Sequence, residues 1–233
     1  MIQLQKHMLN IGHRGAAGYA PENTLKSFTK AIELGVDMIE LDVQLCRTGE
    51  LIVLHDESVD RTTNGKGHIA DLTFDEARSL DAGEGEKLPT LQEVFDLVDR
   101  RAKINVELKV PGTAQPVHEL IELHVTQRDW SYTDFEVSSF DHYELLKFHG
   151  LTPQVATGAL IAGIPIGLAE FALKAQASYA SMCNEFISAE FIADAHSRGL
   201  KVYVWTVDDP DEIAKLTALG VDGLFSNYPD RIK

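Results

Sequence analysis

Short runs of β-branched and aromatic residues alternate along the chain with segments whose apolar residues recur every three or four positions. The runs are "LNIGHR" (9–14), "MIELDVQL" (38–45), "KINVELKV" (103–110), "FEVSSF" (135–140), "QVATGALI" (154–161), "ASYASM" (177–182), "KVYVWTV" (201–207) and "GLFSN" (223–227). The segment "NTLKSFTKAIELG" after the first run puts Leu25, Phe28, Ala31 and Ile32 on one helical face, with Asn23 or Thr24 as N-cap and Gly35 as its stop. Similar patterns, such as "SAEFIADAHSRG" and "DPDEIAKLTALG", precede most of the later runs. Eight strands with helices between them predict parallel βα units. At 233 residues the chain suits a TIM-type (β/α)8 barrel forming a single domain over 1–233.

A further run, "LIVLH" (51–55), breaks the alternation, because only the five residues "CRTGE" separate it from the second strand. A parallel crossover needs about a dozen residues, so this run returns antiparallel as a hairpin extending strand two. With Thr48 and Gly49 as a two-residue turn, Arg47 faces Glu50 and Asp42 faces His55. The polar, Gly- and Asp-rich stretch 56–88 then reads as a small insertion over one end of the barrel.

Composition narrows the partners. With 21 Lys+Arg against 36 Asp+Glu, the formal charge of -15 repels nucleic acid and anionic membranes, so any phosphate must be held by a few local cations. Cys46 and Cys183 have no metal-like spacing and read as free thiols of a reducing compartment. The opening "MIQLQKHMLN" lacks the apolar core of a secretion signal. The apolar stretch from Ala156 is broken by Thr157, Pro165, Glu170 and Lys174 before reaching the roughly 20 residues of a membrane span. These features predict a cytoplasmic protein with no stable membrane association, and leave a homo-oligomer open. Within that stretch, Ile164, Pro165 and Ile166 read either as an apolar rim at the barrel mouth, for a lipid-derived alcohol or a second subunit, or as side chains buried under the next helix.

Active sites of α/β barrels lie at the C-terminal ends of the strands. Strand one ends in His13 and Arg14, and strand two offers Glu40 and Asp42 two positions apart, hence on one face. The next barrel strand offers Glu107 and Lys109 in the same way, and the hairpin brings His55 back toward Asp42. Three carboxylates on one wall need a cation, and an all-oxygen donor set favours Mg²⁺ or Ca²⁺. Two histidines can serve as acid and base, with His13 favoured as base and His55 as acid, while Arg14 and Lys109 can hold a phosphoryl group. Together these groups specify phosphoryl transfer. The competing chemistry is a Schiff base on Lys109.

In order and spacing, the stretches "GHRGAAGYAPENTLKSFTKAIELGVDMIELDVQLCRTGELIVLHDESVDRTTNGKG", "LPTLQEVF", "NVELK", "SSFD", "AHSRGLKVYVWTVDD" and "GVDGLFSNYPD" make the chain resemble the glycerophosphodiester phosphodiesterase family along nearly its whole length. The resemblance implies a metal-dependent barrel that hydrolyses glycerophosphodiesters, such as glycerophosphocholine and glycerophosphoethanolamine, to sn-glycerol 3-phosphate and an alcohol. It places the acid/base pair on His13 and His55, the metal carboxylates on Glu40, Asp42 and Glu107, phosphate contacts on Arg14 and Lys109, and an aromatic wall at Trp205. Two departures stand out: "DAGEGEKLPT" lacks the aromatics common in the family's insertion, and "FSN" (225–227) replaces a Thr-Asp or Thr-Asn pair. The alternatives are a phospholipase-type phosphodiesterase acting on lipids and a barrel that binds phosphodiesters without turning them over.

Overall fold

A computed structural model describes residues 7–232 of the chain. The opening run "MIQLQK", part of the stretch read above for a secretion signal, lies outside the described residues. The strands are β1 (Leu9–Gly12), β2 (Met38–Leu45), β3 (Leu51–Val53), β4 (Lys103–Leu108), β5 (Phe135–Ser139), β6 (Ala156–Ile161), β7 (Tyr179–Cys183), β8 (Lys201–Trp205) and β9 (Gly223–Ser226). All but β3 pair in parallel, in the order β1-β9-β8-β7-β6-β5-β4-β2, and β1 pairs back onto β2. The result is a closed TIM-type barrel.

Helices α1 (Leu25–Glu33), α2 (Phe74–Ser79), α3 (Leu91–Val98), α4 (Ala114–Gln127), α5 (His142–Leu151), α6 (Glu170–Lys174), α7 (Ala189–Ser197) and α8 (Pro210–Leu219) complete the chain. Their starts follow capping chemistry: Thr73 with Glu76 and Thr90 with Glu93 form capping boxes, Asp209 caps α8, and Pro210 fills its first turn. Of the two cap candidates for α1, Thr24 is the one used, accepting from the Ser27 N–H, and Asn23 is thereby free for another task. Among the described residues no helix is long and apolar enough to cross a membrane.

Two sequence expectations need correction. β1 stops at Gly12, before His13 and Arg14, because Arg14 adopts a left-handed backbone (φ 50°) that no strand accommodates. The hairpin register is also one residue off. Val43 pairs with Val53, and Cys46 N–H donates to Glu50 O, enclosing a three-residue loop rather than two. Gly49, at φ 97°, supplies the left-handed residue that such a loop requires. Leu54 N–H, not His55, therefore donates to the Asp42 carbonyl, at the 3.0 Å of an ordinary ladder bond.

Apolar side chains gather in three places. A large layer between barrel and helices includes Phe28, Val94, Phe95, Phe135 and Phe148. A small cluster of Cys46, Ile52, Leu54, Val59, Ile69 and Ala77 joins the β2–β3 hairpin to segment 56–88. Ile11, Met38, Tyr179, Tyr203 and Phe225 fill the barrel interior. Gly158 makes room there, since a Cβ on it would lie 2.0 Å from the Tyr179 ring.

The interior also carries a polar floor beneath the strand ends. Ser138 Oγ donates to Asn105 Oδ1 at 2.8 Å, and Asn105 Nδ2 donates to Tyr179 Oη at 2.7 Å. Glu136 lies buried nearby, one oxygen accepting from Tyr203 Oη at 3.4 Å and the other without a partner. Burial pushes this carboxyl up to about 7, only partly offset by Lys201 and Lys103. The protonated form thus contributes stability that is complete below the ordinary carboxyl range and is lost as pH rises through about 7. A Glu136→Gln variant, unable to ionise, should gain stability over wild type between pH 5 and pH 8, by up to about 3 kcal/mol. Thermal denaturation at both pH values checks this, and a pH-independent difference would contradict it.

Candidate active site

Glu40, Asp42 and Glu107 form one buried wall because β2 and β4 are in register, Glu40 beside Asn105 and Asp42 beside Glu107. Side chains two residues apart on a strand point the same way, so the three carboxylates converge. Each offers an oxygen within 4.8 Å of the others.

Two cations and an amide meet this wall. The left-handed turn at Arg14 aims its backbone N–H at Glu40 Oε2 (2.8 Å) and brings its Nε to 3.5 Å from Asp42 Oδ2. Lys109 Nζ lies 2.6 Å from Glu107 Oε1 and 3.4 Å from Asp42 Oδ1. Asn23, also left-handed (φ 57°), donates from Nδ2 to Asp42 Oδ2 at 2.8 Å. Burial alone would raise Asp42, but Lys109 and Arg14 outweigh it and hold that carboxyl below its ordinary value. Glu40 is driven well upward by burial and by Asp42 and Glu107, and Glu107 rises to about 7 through burial and Asp42. Burial disfavours a charged Lys109, yet Asp42 and Glu107 raise it above its ordinary value. A Schiff-base lysine requires the opposite shift.

The two histidines enter from the loop after β1 and the segment after β3. His13 N–H bonds Ser226 O, and its Nδ1 lies 2.8 Å from Asn227 Oδ1. Asn227 Nδ2 donates to Asp208 Oδ2 at 2.7 Å, which fixes the amide so that its oxygen faces the ring. Nδ1 of His13 therefore carries the proton and Nε2 stays free. Burial, reinforced by the Arg14 guanidinium, lowers the imidazole to about 4, so the ring is neutral near pH 7. His55 Nδ1 lies 2.6 Å from Asp56 Oδ1. A hydrogen bond from Arg61 holds Asp56 well below the usual carboxylate range, so Asp56 is an acceptor and His55 also has Nε2 free.

A cavity of about 100 Å³ joins these groups, with His13, His55, Glu107, Ser138, Phe140 and Trp205 among its lining. Trp205 packs edge-on against Phe140 at 5.5 Å, and its Nε1 is buried without a partner. Six of the eight site residues read from the sequence, His13, Arg14, Glu40, His55, Glu107 and Trp205, line this cavity, and Asp42 and Lys109 are joined to it by their ion pairs with Arg14 and Glu107. Glu22, Asp56, Arg61 and Asp208 join the site without a sequence signal of their own beyond Asp56 following His55, and Asn23, a cap candidate in the sequence, serves Asp42 instead.

The carboxylate wall fits a divalent cation. Its donors are all oxygen, and Asp42 Oδ1 is buried without a hydrogen-bond partner, an acceptor left for an ion.

The Glycerophosphoryl diester phosphodiesterase family model matches residues 13–231. Among curated proteins, the glycerophosphodiester phosphodiesterase of Caldanaerobacter subterraneus subsp. tengcongensis is 36% identical over 241 residues, covering 96% of this chain and 96% of that protein. The glycerophosphodiester phosphodiesterase of Bacillus altitudinis is 36% identical, with 94% of each chain covered. Among solved structures, an Oleispira antarctica phosphodiesterase in complex with the product sn-glycerol-3-phosphate superposes with a TM-score of 0.87 at 30% identity, covering 95% of this chain and 94% of that one.

If the wall holds a cation, Mg²⁺ at about 100 times its dissociation constant should stabilise the folded chain by about 2.7 kcal/mol. Glu40→Gln should abolish the rise in Tm while leaving the metal-free Tm equal or higher, since it relieves like-charge crowding. An equal Mg²⁺-induced rise in that variant would place the ion elsewhere.

Proposed function

The chain belongs to the glycerophosphoryl diester phosphodiesterase family and is a phosphoric diester hydrolase, and from that premise we propose a substrate, a cation and a division of labour among its residues. The substrates are glycerophosphodiesters with small polar alcohols, such as glycerophosphocholine and glycerophosphoethanolamine, cleaved to sn-glycerol 3-phosphate and the alcohol. The observation that carries this reading is the pair of imidazoles, each with Nδ1 held by a neighbour and Nε2 free, beside a buried wall of three carboxylates.

Glu40, Asp42 and Glu107 would hold the cation, Mg²⁺ or Ca²⁺, which when bound neutralises charge on the phosphoryl oxygens. Arg14 and Lys109 bind the non-bridging oxygens, Arg14 through the Nε that lacks a hydrogen-bond partner. Neutral His13 takes the proton of the attacking hydroxyl at Nε2, and Asn227 keeps the ring in that tautomer. His55 enters as the imidazolium, its Nδ1–H donated to Asp56, and delivers its Nε2 proton to the leaving alcohol oxygen, leaving the ring neutral. Trp205 forms one wall for the organic part of the substrate and offers its unpartnered Nε1 to a hydroxyl. The free thiols of Cys46 and Cys183 support a reducing, cytoplasmic setting.

A second reading, activity on single-chain lipids, is favoured by one observation. Ile164 is 77% exposed and Ile166 fully exposed on the loop that follows β6, the strand carrying the cavity residue Leu160. Neither isoleucine is buried under the next helix, and this exposure supports the rim.

Release of sn-glycerol 3-phosphate from glycerophosphocholine and glycerophosphoethanolamine should require Mg²⁺ or Ca²⁺ and stop with EDTA. His13→Ala and His55→Ala should each lower turnover by roughly 10²–10⁴-fold. Undiminished release from either variant would remove that histidine from the mechanism. A variant carrying Ile164→Ser and Ile166→Ser should keep its turnover of glycerophosphocholine. A selective loss with lysophosphatidylcholine would establish the lipid reading, and an equal response to both substrates would sink it.

A further inference from the structure

We propose that Arg61 is a positioning residue: one guanidinium from the 56–88 insertion clasps Glu22 and Asp56 and thereby fixes Arg14 and His55 together. The inference deepens the proposed function and rests on its assignment of Arg14 and His55 to the reaction.

Arg61 Nη1 and Nη2 donate to Glu22 Oε2 and Oε1, both at 2.8 Å. Its Nε and Nη2 donate to Asp56 Oδ2 and Oδ1 at 2.6 and 3.1 Å. Each carboxylate then passes the constraint onward. Glu22 Oε1 also accepts from Arg14 Nη1 at 2.8 Å, and Asp56 Oδ1 faces His55 Nδ1 at 2.6 Å. A single planar group thus joins the phosphate-binding arginine to the proton-donating histidine through two forked contacts.

The insertion holds that group in place. Val59 is buried in the small apolar cluster with Ile69 and Ala77, and its N–H bonds Gly67 O. Thr63 N–H and Oγ1 both bond Val59 O, closing the turn that presents Arg61. Half-exposed ion pairs ordinarily contribute little, and the Arg61 side chain is 48% exposed. Two bidentate forks in one network are the exception. Without Arg61, Glu22 and Asp56 would be two carboxylates left facing each other, and their repulsion would pull Arg14 and His55 apart. A lysine cannot substitute, because a single ammonium lacks the planar array of donors that grips both carboxylates.

With glycerophosphocholine and Mg²⁺, Arg61→Ala should lower kcat by about 10–100-fold, the usual effect of losing a partner that orients a reacting group. KM should change far less, and added guanidinium ion should restore turnover. Arg61→Lys should recover only a small part of the loss. Glu22→Gln and Asp56→Asn should affect kcat non-additively while Arg61 is present and additively once it is alanine. This cycle in the native Arg61 background also decides the matter if Arg61→Ala fails to fold. Additive effects there, wild-type turnover in Arg61→Ala, or full activity in Arg61→Lys would overturn the role of Arg61 alone. A wild-type chain that releases no sn-glycerol 3-phosphate would overturn the underlying reading together with it.

Discussion

Charge balance on the carboxylate wall is the constraint around which the rest of the structure is arranged. Glu40, Asp42 and Glu107 are buried together, whereas among the described residues Arg14 and Lys109 are the lysine and arginine side chains paired with them. At the 3.4 Å separation of Lys109 and Asp42, the attraction is about 5 kcal/mol at an effective dielectric of 20. That is the same order as the several kcal/mol lost in burying one carboxylate. Each cation therefore offsets about one acid, and the third remains uncompensated. Its consequence is the upward shift of Glu40 and Glu107 while Asp42, the carboxylate that pairs with both Lys109 and Arg14, stays low. A divalent ion held by the three carboxylates would supply the missing charge without adding another side chain to the barrel.

Holding that wall requires backbone conformations that side chains normally avoid. Arg14 and Asn23, both left-handed, lie in the loop between β1 and α1, where such residues cost about 1–3 kcal/mol each. The loop is fixed by more bonds than a surface turn needs. Asn23 N–H and Ser27 Oγ both donate to Arg14 O, and Arg14 N–H donates to Glu40. The strain is therefore confined to the place where it turns one amide and one guanidinium toward the acids. The hairpin has a related role: β3 takes the edge of β2 that β1 leaves after Ile39, and so carries His55 to the mouth.

The alternation of side chains along a strand made much of this legible. Glu40 with Asp42, and Glu107 with Lys109, could be placed on a common face from their spacing alone, and the barrel followed from eight apolar runs separated by helical patterns. The hairpin was legible as a hairpin, but its register was not. A two-residue turn and a three-residue turn both fit "CRTGE", and the choice depends on the backbone at Gly49. The supporting residues were harder to see for a different reason. Asn227 meets His13 across 214 residues, and Arg61 meets Glu22 across 39, distances over which hydropathy patterns carry no pairing information. Polar residues such as Glu22 and Arg61 look like solvated loop side chains until the fold brings them together.

The barrel's ring order also makes its mouth two-sided. From β1 the sequence of neighbours runs β2, β4, β5, β6, so the loop after β6 lies four strands away, opposite the turn that carries His13 and Arg14. Segment 56–88 follows the hairpin on β2 and presents charged groups, among them Glu22-bound Arg61 and Asp56. Across the ring, Phe140, Ile164 and Ile166 present apolar surface. A cavity of about 100 Å³ encloses only a small part of a diester, so the remainder must lie over one of these two sides. The polar side is also the one that holds His55 by way of Asp56. On the proposed mechanism, a polar leaving alcohol departs past His55 and the insertion, and an apolar substituent is accommodated only over the opposite rim. In that proposal, the asymmetry that places His55 also sets the orientation of the substrate.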